Sequence, residues 1–461
     1  MSQPTVVSAL GMVLIAGGYL VLDSAYSGIV ISTSSKIYTV ISSLCGSNVI
    51  QVCSPQFSNL NWSYSVSSTT VKALQTNMSS NNFVQLALQH TISVALKFRG
   101  NEAVNQVLAN GLDIAIIGDN DFYSQRGQNL SQTLSALSSM QPFYSQGVTL
   151  SQVHKTGLSS SAALIGSLVS TLLVHLQVVA PLAFLEDQGN IHQLIHNLSQ
   201  SVHCLAQGKV GCGFDVAAAI FGSNLYTQFN PGVMNDLSSR SILSIISPDN
   251  AAWNQRIKLF RFPPLTHIML ANIDHGSDIP LLVGKVLQWC KDDPDKAHAL
   301  WTSLDQLNQS LVSSLSHLSI LHTQDPRIYA STVKFISLLQ PIQWIADLSF
   351  DQFEAQVAAG FYQVHKVSKM LQLARALIEP PEQLLYMCCC QAGVIGGGTS
   401  GEGGSNVIWV LVCEPQECQP DEWPRECIEY IWSNHNVFPL SGEESVTQGA
   451  RLESINNVEG L

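Results

Sequence analysis

Apolar residues near the start of the chain follow the two-residue period of β-strands. The segments VVSALGMVLIAGGYLVLD and GIVISTSSKIYTVIS combine apolar and small residues, and we interpret them as strands joined by turns. The segment LDIAIIGDNDFYSQR predicts another strand, beginning at Leu112, that runs into a polar loop at Gly118. We therefore expect a β-sheet in the N-terminal part of the chain.

Helical spacing appears in the next segments. KTGLSSSAAL leads into an apolar run with helical period to about Val179, and IHQLIHNLSQSVHCLAQGK predicts a second helix that ends near Lys209. The turn VGCGFD, a run of small residues and a strand at NLYTQFN come after it. Strands alternating with helices indicate a mixed α/β fold.

The second half of the chain begins after a polar connection that follows Pro231. A strand is predicted at residues 266–274, and helices are predicted from about residue 279 to 377, where Pro380 and Pro381 prevent continuation. A glycine-rich loop, GVIGGGTSGEGGSN, leads into the strand VIWVLVCE. Because 461 residues exceed one ordinary core, the length predicts two or three domains. We place two of them at residues 5–235 and 255–440, on either side of the polar connection.

Composition and charge narrow the class of protein. The chain is 46% hydrophobic and only 12% charged, which is typical of a well-buried globular protein. Its formal net charge of −12 argues against a nucleic-acid partner, which would require a basic surface. A small anionic ligand stays possible, because a few lysines and helix ends can bind one.

The early apolar run from Gly11 to Leu22 has no preceding basic residue and is too short to span a bilayer. We expect no export signal, no membrane association and a cytoplasmic location. Eleven cysteines are then expected to be thiols in a reducing compartment. Neither Cys388-Cys389-Cys390 nor the pair His192 and His196 has the spacing of a common metal site, and we expect the two histidines at a surface or interface.

The segment HKTGLSSSAAL places small residues directly before a helix. Ser159, Ser160 and Ser161 are able to cap that helix, and their N–H groups and hydroxyls are equally able to bind a phosphate and its magnesium ion. The spacing alone leaves both alternatives open. The segment lacks the G-K-[ST] sequence of a Walker loop.

The segment QGKVGCGFDVAAA places Lys209 and Asp215 across a glycine-rich turn. An aspartate in so apolar a segment requires a partner, because burying its charge alone is costly. The two residues form either a structural ion pair or the cation and carboxylate of a phosphoryl-transfer site. The sequence does not decide between these alternatives.

Four segments together resemble the fungal phosphomevalonate kinases of the GHMP kinase superfamily: SALGMVLIAGGYLVLD, GDNDFYSQR, HKTGLSSSAAL and QGKVGCGFDVAAA. Two segments of the second half, WNQRIKLFRFPPLTHIMLANIDHGSDIPLLVGKVLQW and IEPPEQ, resemble the same family. The resemblance implies a two-domain GHMP kinase fold. Its N-terminal α/β domain carries the phosphate loop, and its C-terminal domain is ferredoxin-like.

The resemblance also implies the activity. The family transfers the ATP γ-phosphoryl group to 5-phosphomevalonate with Mg²⁺, within the mevalonate route to isoprenoids and sterols. We expect a monomer or homodimer, and the sequence leaves the choice open. Two residues are implied in catalysis, Asp215 and Lys209, and Gly211 and Gly213 belong to the same acceptor-side motif. The ATP-binding residues implied are Lys155, Gly157, Leu158, Ser159, Ser160, Ser161 and Ala162, with Ser160 and Ser161 also binding the metal.

The sequence departs from the family pattern at several positions. Leu10 and Met12 replace a proline and a lysine, and Ser159 replaces a glycine. Glu402 and Asn406 fall within an altered third glycine-rich motif. These differences leave two alternatives: an impaired homologue that binds nucleotide or a protein partner, and a GHMP kinase for another small substrate such as mevalonate.

Overall fold

A computed structural model describes residues 3–44, 46, 48–58, 60–67, 70–74, 81–124, 133–186, 189–236, 242–273, 279–346, 350–378, 383–401, 407–416, 424–435, 437–447 and 449–458. The strands are β1 (Thr5–Ala16), β2 (Gly28–Ser43), β3 (Val49–Cys53), β4 (Asn61–Ser67), β5 (Thr70–Ala73), β6 (Leu112–Gly118), β7 (Asn224–Thr227), β8 (Arg256–Leu259), β9 (Thr266–Ile273), β10 (Val394–Thr399), β11 (Val407–Cys413), β12 (Val437–Leu440) and β13 (Arg451–Leu452).

The helices alternate with these strands in the first half and fill much of the second half. They are α1 (Asn82–Arg99), α2 (Asn101–Ala109), α3 (Leu134–Ser138), α4 (Ser160–His175), α5 (Pro181–Glu186), α6 (Asn190–Gln207), α7 (Phe214–Phe221), α8 (Ile242–Ile246), α9 (Ile279–Asp292), α10 (Pro294–Gln324), α11 (Pro326–Ser337), α12 (Gln352–Arg375), α13 (Gln383–Cys389) and α14 (Pro424–Ser433). None of the helices in the described ranges has the length and apolar character that crossing a membrane requires.

The larger sheet has the order β13-β1-β2-β6-β3-β4-β5, with β7 beside β2 and β8 beside β7. Strands β3 and β6 pair in parallel, and β1 pairs antiparallel with β2 along most of its length. Helix α4 packs on β1 and β2 and also contacts α1, α6 and α7. Because it is enclosed in this way, α4 is apolar on nearly all faces, and Ala162 and Leu173 are both buried.

The smaller sheet has the order β10-β11-β9-β12, and its described pairs are all antiparallel. Along the chain it is built as β9, then helices, then β10 and β11, then α14 and β12. This β-α-β-β-α-β arrangement is that of ferredoxin-like domains. It confirms the fold expected for the second half, and the mixed α/β class is confirmed for the whole chain.

Hydrogen bonds from the ends of β10 and β12 join the smaller sheet to the larger one. The N–H of Leu14 in β1 donates to the hydroxyl of Ser400, just after β10, at 2.9 Å. The N–H of Ser441, just after β12, donates to the Asp121 carboxylate at 2.8 Å. The loops at the ends of β1, β6, β10 and β12 therefore meet between the sheets.

Several sequence-based expectations require correction. The segment GVIGGG is predicted to be a loop, but Gly396, Gly397 and Gly398 belong to strand β10. Glycine is required at position 398 because the indole of Trp409 in β11 covers it and leaves no room for a Cβ atom. The small-residue run after Asp215 is helix α7. The division into two domains stays a prediction, although β8, assigned to the second, pairs in the larger sheet.

Candidate active site

The loop before α4 passes twice through left-handed backbone conformations. Gly157 has φ 85° and Ser159 has φ 57°, and α4 begins at the next residue, Ser160. Glycine adopts such a conformation without steric cost, whereas serine at the second position is strained by its Cβ atom. This geometry explains why a glycine is usual at the Ser159 position in the kinases that the sequence resembles.

The start of α4 is suited to an anion. The Ser159 side chain makes no capping hydrogen bond to the first helical turn, so plain capping by this residue is absent. The side chains of Leu158 and Ala162 are each 1% exposed and fix the loop on the core. N–H groups at a helix start lack intrahelical partners and attract negative charge. The phosphate-binding alternative is therefore favoured for this loop, and its ligand contacts stay a prediction.

A cavity of about 600 Å³ lies beside this loop. Ser160, Ser161 and Lys155 line one part of it, and apolar side chains that include Trp62 and Phe83 line another. Desolvation by the surrounding protein lowers the pKa of the Lys155 ammonium, although much of the residue is exposed. A polar end next to an apolar end is the arrangement expected for a ligand that carries both phosphates and a flat ring.

The turn between α6 and α7 is shaped by Gly213. Its φ is 85°, and a Cβ atom there would lie 2.7 Å from the Tyr226 hydroxyl oxygen and 3.0 Å from Oε1 of Gln200. The Tyr226 hydroxyl donates to the Cys212 carbonyl at 2.7 Å, which fixes the turn from below. The N–H of Gly211 donates to the Cys204 sulfur at 3.4 Å. Only glycine fits at position 213, so this motif has a structural reason for its composition.

Asp215 lies in the first turn of α7, with its side chain 20% exposed. Its Oδ1 accepts the N–H of Val216 at 2.9 Å, and its Oδ2 lies 3.8 Å from Nδ1 of His203. The other ring nitrogen of His203, Nε2, lies 3.1 Å from Oγ of Ser161. One buried imidazole thus connects the phosphate-loop serine to the aspartate of the acceptor-side turn.

The sequence analysis did not identify His203. Its one signal was its position within IHQLIHNLSQSVHCLAQGK, one helical turn before Gln207, whose Nε2 lies 3.1 Å from the imidazole Nε2. Lys209 is exposed after α6, and no described salt bridge joins it to Asp215. The proposed structural Lys–Asp pair is therefore wrong for the described residues, and a catalytic role for Lys209 stays a prediction.

The first strand connects to both halves of the site. The N–H of Met12 donates to the Leu158 carbonyl at 3.2 Å, which fixes β1 to the phosphate loop. The Met12 side chain is 4% exposed and belongs to an apolar cluster with Cys212 and Phe214 of the acceptor-side turn. Position 12 therefore lies next to the acceptor-side turn, and the Met12 side chain is part of the core.

The third glycine-rich segment meets the loop that follows β1. A Cβ atom on Gly18 would lie 3.0 Å from the Gly401 carbonyl oxygen and 3.4 Å from Nη1 of Arg375. The same Nη1 donates to the Thr399 carbonyl at 3.0 Å. Arg375, which the sequence analysis did not identify, therefore brings a cation to the meeting point of two glycine-rich loops. Glu402 and Asn406 lie outside the described residues.

The remaining metal candidates have other surroundings. His192 and His196 are 4% and 0% exposed, so their expected surface position is wrong. Burial lowers the pKa of His196 to about 4, and its ring packs against Phe221 and Trp253. Among the described residues, no three His, Cys, Asp or Glu side chains are grouped to bind a metal ion.

Magnesium does not require a cluster of His, Cys, Asp or Glu side chains, because one or two protein oxygens together with substrate phosphates usually bind it. The Ser161 hydroxyl and the Asp215 carboxylate lie on opposite sides of the His203 ring. One ion cannot contact both of them, because the ring lies between them, but the Ser160 and Ser161 hydroxyls at a phosphate-binding helix start are oxygen ligands of the kind that magnesium accepts. The residues present therefore fit this ion.

Comparison with known proteins agrees with the geometry. No family model matches the chain. The peroxisomal phosphomevalonate kinase of Arabidopsis thaliana is 30% identical over 496 residues, covering 97% of this chain and 96% of the relative. The phosphomevalonate kinase of Gibberella zeae is 31% identical over 490 residues, covering 100% of this chain and 99% of the relative. The chain belongs to the phosphomevalonate kinase family.

Solved structures of a phosphomevalonate kinase and of a galactokinase have the same fold. The phosphomevalonate kinase of Streptococcus pneumoniae, in complex with phosphomevalonate and AMPPNP, is 17% identical with a TM-score of 0.55 and covers 96% of this chain and 99% of its own. A galactokinase of Lactococcus lactis is 12% identical with a TM-score of 0.51, and 97% of this chain and 95% of its own are covered. The GHMP kinase fold is therefore established, and the resemblance read from the sequence motifs is confirmed.

Proposed function

We propose that the chain is an ATP-dependent kinase that transfers the γ-phosphoryl group of ATP to the phosphate of 5-phosphomevalonate, giving 5-diphosphomevalonate and ADP. The observation that carries this proposal is the near full-length similarity to phosphomevalonate kinases of plants and fungi. The step belongs to the mevalonate pathway of isoprenoid and sterol biosynthesis. The contacts of β1 with the phosphate loop, the acceptor-side turn and the third glycine-rich segment support the same reaction.

On the nucleotide side, we assign the phosphates of ATP to the start of α4. The N–H groups from Gly157 to Ser161 and the ammonium of Lys155 offer positive charge there. Ala162, whose N–H donates to the Ser159 carbonyl, closes the first helical turn beside them. The cavity beside them is large enough for a nucleoside, and Trp62 and Phe83 offer apolar surface to a base. These contacts would hold the γ-phosphate at the end of the pocket that faces the acceptor-side turn.

On the acceptor side, the reaction requires charge neutralisation more than proton abstraction. A phosphate monoester has its second pKa near 6, so the acceptor oxygen is largely deprotonated at neutral pH. The principal task is to bring two anions together, and we assign it to Lys155, Lys209 and Arg375. Asp215 would orient the acceptor from the turn formed with Gly211 and Gly213.

Magnesium would be held by the hydroxyls of Ser160 and Ser161, together with nucleotide phosphates. When bound, the ion neutralises negative charge that develops on the transferred group. The Met12 N–H fixes the phosphate loop to β1 by its hydrogen bond to the Leu158 carbonyl, and the buried side chains of Leu158, Met12 and Phe214 exclude water.

An ADP-release assay on the purified protein tests the proposal. Mevalonate and 5-phosphomevalonate are offered in parallel with Mg-ATP, and we expect turnover of 5-phosphomevalonate alone. Turnover of mevalonate would contradict the proposed acceptor. ATP binding without any turnover would support an impaired homologue, the alternative favoured by the apolar Met12 at a position where related kinases carry lysine.

The wider setting of the protein is also proposed. A cytoplasmic location and a monomer or homodimer follow from the sequence expectations, with no nucleic-acid or membrane partner. One relative is named as peroxisomal, so the location deserves a direct test. Imaging of the fluorescently tagged chain beside a peroxisomal marker, and light scattering of the purified protein, measure these two properties.

A further inference from the structure

His203 occupies a buried position between the two sides of the active site. It lies on α6 and is 1% exposed, and its ring packs 6.0 Å, centroid to centroid, from Phe83 of the nucleotide cavity. Its Nε2 lies 3.1 Å from Oγ of Ser161, and its Nδ1 lies 3.8 Å from Oδ2 of Asp215. In the described residues, Nδ1 has no hydrogen-bond partner, so the aspartate is its nearest polar contact.

The neighbours of the ring determine which nitrogen carries the proton. The Gln207 amide nitrogen, a donor, lies 3.1 Å from Nε2, so Nε2 accepts and the proton of a neutral ring is on Nδ1. The carboxylate favours the same tautomer, because a lone pair on Nδ1 would face the negative charge of Asp215. Both neighbours therefore place an N–H between the ring and the aspartate.

This tautomer also orients the serine. Because Nε2 then carries no hydrogen, the Ser161 hydroxyl donates to the one Nε2 lone pair, which it shares with the Gln207 amide, and turns its own lone pairs away from the ring. Ser161 lines the cavity at the start of α4, so these lone pairs are available to a ligand there. The same imidazole thus orients an oxygen on the nucleotide side and a carboxylate on the acceptor side.

We infer that His203 is a positioning residue for the proposed phosphoryl transfer: through Nε2 it orients the Ser161 hydroxyl, and its Nδ1–H, which lies beyond hydrogen-bond distance at 3.8 Å, stabilises the Asp215 carboxylate by charge–dipole attraction. The expected kinetic effects rest on the proposed function, whereas the contacts of the His203 ring do not depend on whether the protein turns over a substrate. A residue that only filled the core would need the volume of the ring and neither of its nitrogens.

Two amide variants separate the two contacts. Glutamine offers an oxygen near the Nε2 position, so His203→Gln retains an acceptor for Ser161 and loses the donor to Asp215. Asparagine offers an N–H near the Nδ1 position, so His203→Asn retains the donor and loses the acceptor. We expect His203→Gln to lower kcat about tenfold or more with little change in KM for Mg-ATP. We expect His203→Asn to raise that KM about tenfold.

The matched control is His192→Gln. This histidine is buried on the same helix and packs against Phe184 and Phe221, away from the serine and the aspartate. Its replacement is expected to lower the melting temperature. It should produce neither the selective fall in kcat nor the selective rise in KM for Mg-ATP that the two His203 variants should show. If both His203 variants behave as this control does, His203 has only a structural role and the inference is wrong.

A second measurement does not depend on activity or on the folding of a variant. The ¹⁵N chemical shifts of the imidazole nitrogens in the ligand-free wild-type protein report which nitrogen carries the proton, and we expect the Nδ1–H tautomer for His203. The Nε2–H tautomer would overturn the inference. If no acceptor is turned over, the proposed function fails separately from this inference. Calorimetric titration with Mg-ATP then still tests the contact between His203 and Ser161. We expect His203→Asn to bind Mg-ATP about tenfold more weakly than wild type does, and equal affinity would overturn the inference.

Discussion

Ser441 donates two groups to the carboxylate of Asp121: its N–H at 2.8 Å and its hydroxyl at 2.9 Å. This contact joins the end of β12 in the smaller sheet to the end of β6 in the larger one. The Asp121 carbonyl also accepts the hydroxyl of Thr156, the residue before Gly157. The approach of the two sheets is therefore coupled directly to the phosphate loop.

A second aspartate in this region predicts a pH-dependent stability. Burial, partly offset by the Lys36 N–H that its side chain accepts, raises the pKa of Asp119 from 3.8 to about 7, and the nearby Asp121 raises it further. The folded protein therefore retains a proton that the unfolded chain releases above about pH 4. The stability from this group is complete below that pH and is lost as the pH rises through 7.

Asp119→Asn removes this titration and leaves an oxygen for the Lys36 N–H. We expect the unfolding free energy of the variant, relative to wild type, to rise by up to about 2 kcal/mol between pH 5.5 and 7, from 1.36 kcal/mol per pH unit. Urea unfolding at several pH values measures the difference. Asp113→Asn, on the exposed face of β6, is the control for the loss of one carboxylate. A difference that stays constant with pH would contradict the assignment.

The strain at Ser159 predicts a stabilising substitution. Because its φ is 57°, Ser159→Gly should raise the unfolding free energy by roughly 1 kcal/mol and strengthen Mg-ATP binding if the serine side chain crowds the phosphates. Gln177→Gly is a matched control, since Gln177 has the same φ in an exposed position after α4. It should produce a similar gain in stability and no change in KM for Mg-ATP. A loss of stability in Ser159→Gly would be inconsistent with a strained loop.

These loops also show what the sequence could predict. Small and apolar residues in succession predicted β1 and β2. The phosphate loop and the acceptor-side turn were identified because glycine and serine directly before a helix are typical of anion-binding segments. The only sign in the sequence of a left-handed backbone at Ser159 was that this serine replaces a glycine of the family pattern. Residue type alone does not report a positive φ when the residue is not glycine.

His203 and Arg375 were not predicted, for a different reason. Each lies on a helix whose period indicated only a packed helix, and its importance comes from a contact with a residue distant in sequence: Ser161 in one case and Thr399 in the other. The burial of Met12 was not predicted either, because every residue of β1 after Thr5 is buried and residue type alone does not distinguish a core position from a cleft position there. Long-range packing decides such positions.

Removal of the two loop hydroxyls tests the nucleotide side. Ser160→Ala with Ser161→Ala is expected to raise KM for Mg-ATP strongly while the melting temperature stays close to that of wild type, because alanine is favourable in a helix. Ser170→Ala removes a buried hydroxyl from the same helix and serves as the control. Wild-type kinetics of the double variant at limiting ATP would show that the phosphates bind elsewhere.

The buried position of Met12 predicts the outcome of restoring the lysine found in related kinases. A lysine there must place its ammonium among Leu14, Cys212 and Phe214, so Met12→Lys is expected to lower the unfolding free energy by about 2–4 kcal/mol. Met12→Leu keeps the position apolar and is expected to change it by less than about 1.5 kcal/mol. Thermal unfolding of both variants measures this. A lysine variant as stable as wild type would mean that the side chain reaches the cleft.

Replacement of Asp215 distinguishes a role in the reaction from a role in the fold. Its side chain is 20% exposed, and its described contacts are the adjacent Val216 N–H and the His203 ring, so little packing depends on its charge. We expect Asp215→Asn to lower turnover of 5-phosphomevalonate about 100-fold or more, equivalent to about 2.7 kcal/mol, with little change in melting temperature. Glu102→Gln removes an exposed acid from the first turn of α2 and controls for the loss of charge at a helix start. Turnover per folded molecule and melting temperature are measured on the same preparation. A lower melting temperature with unchanged turnover would assign Asp215 to the fold instead.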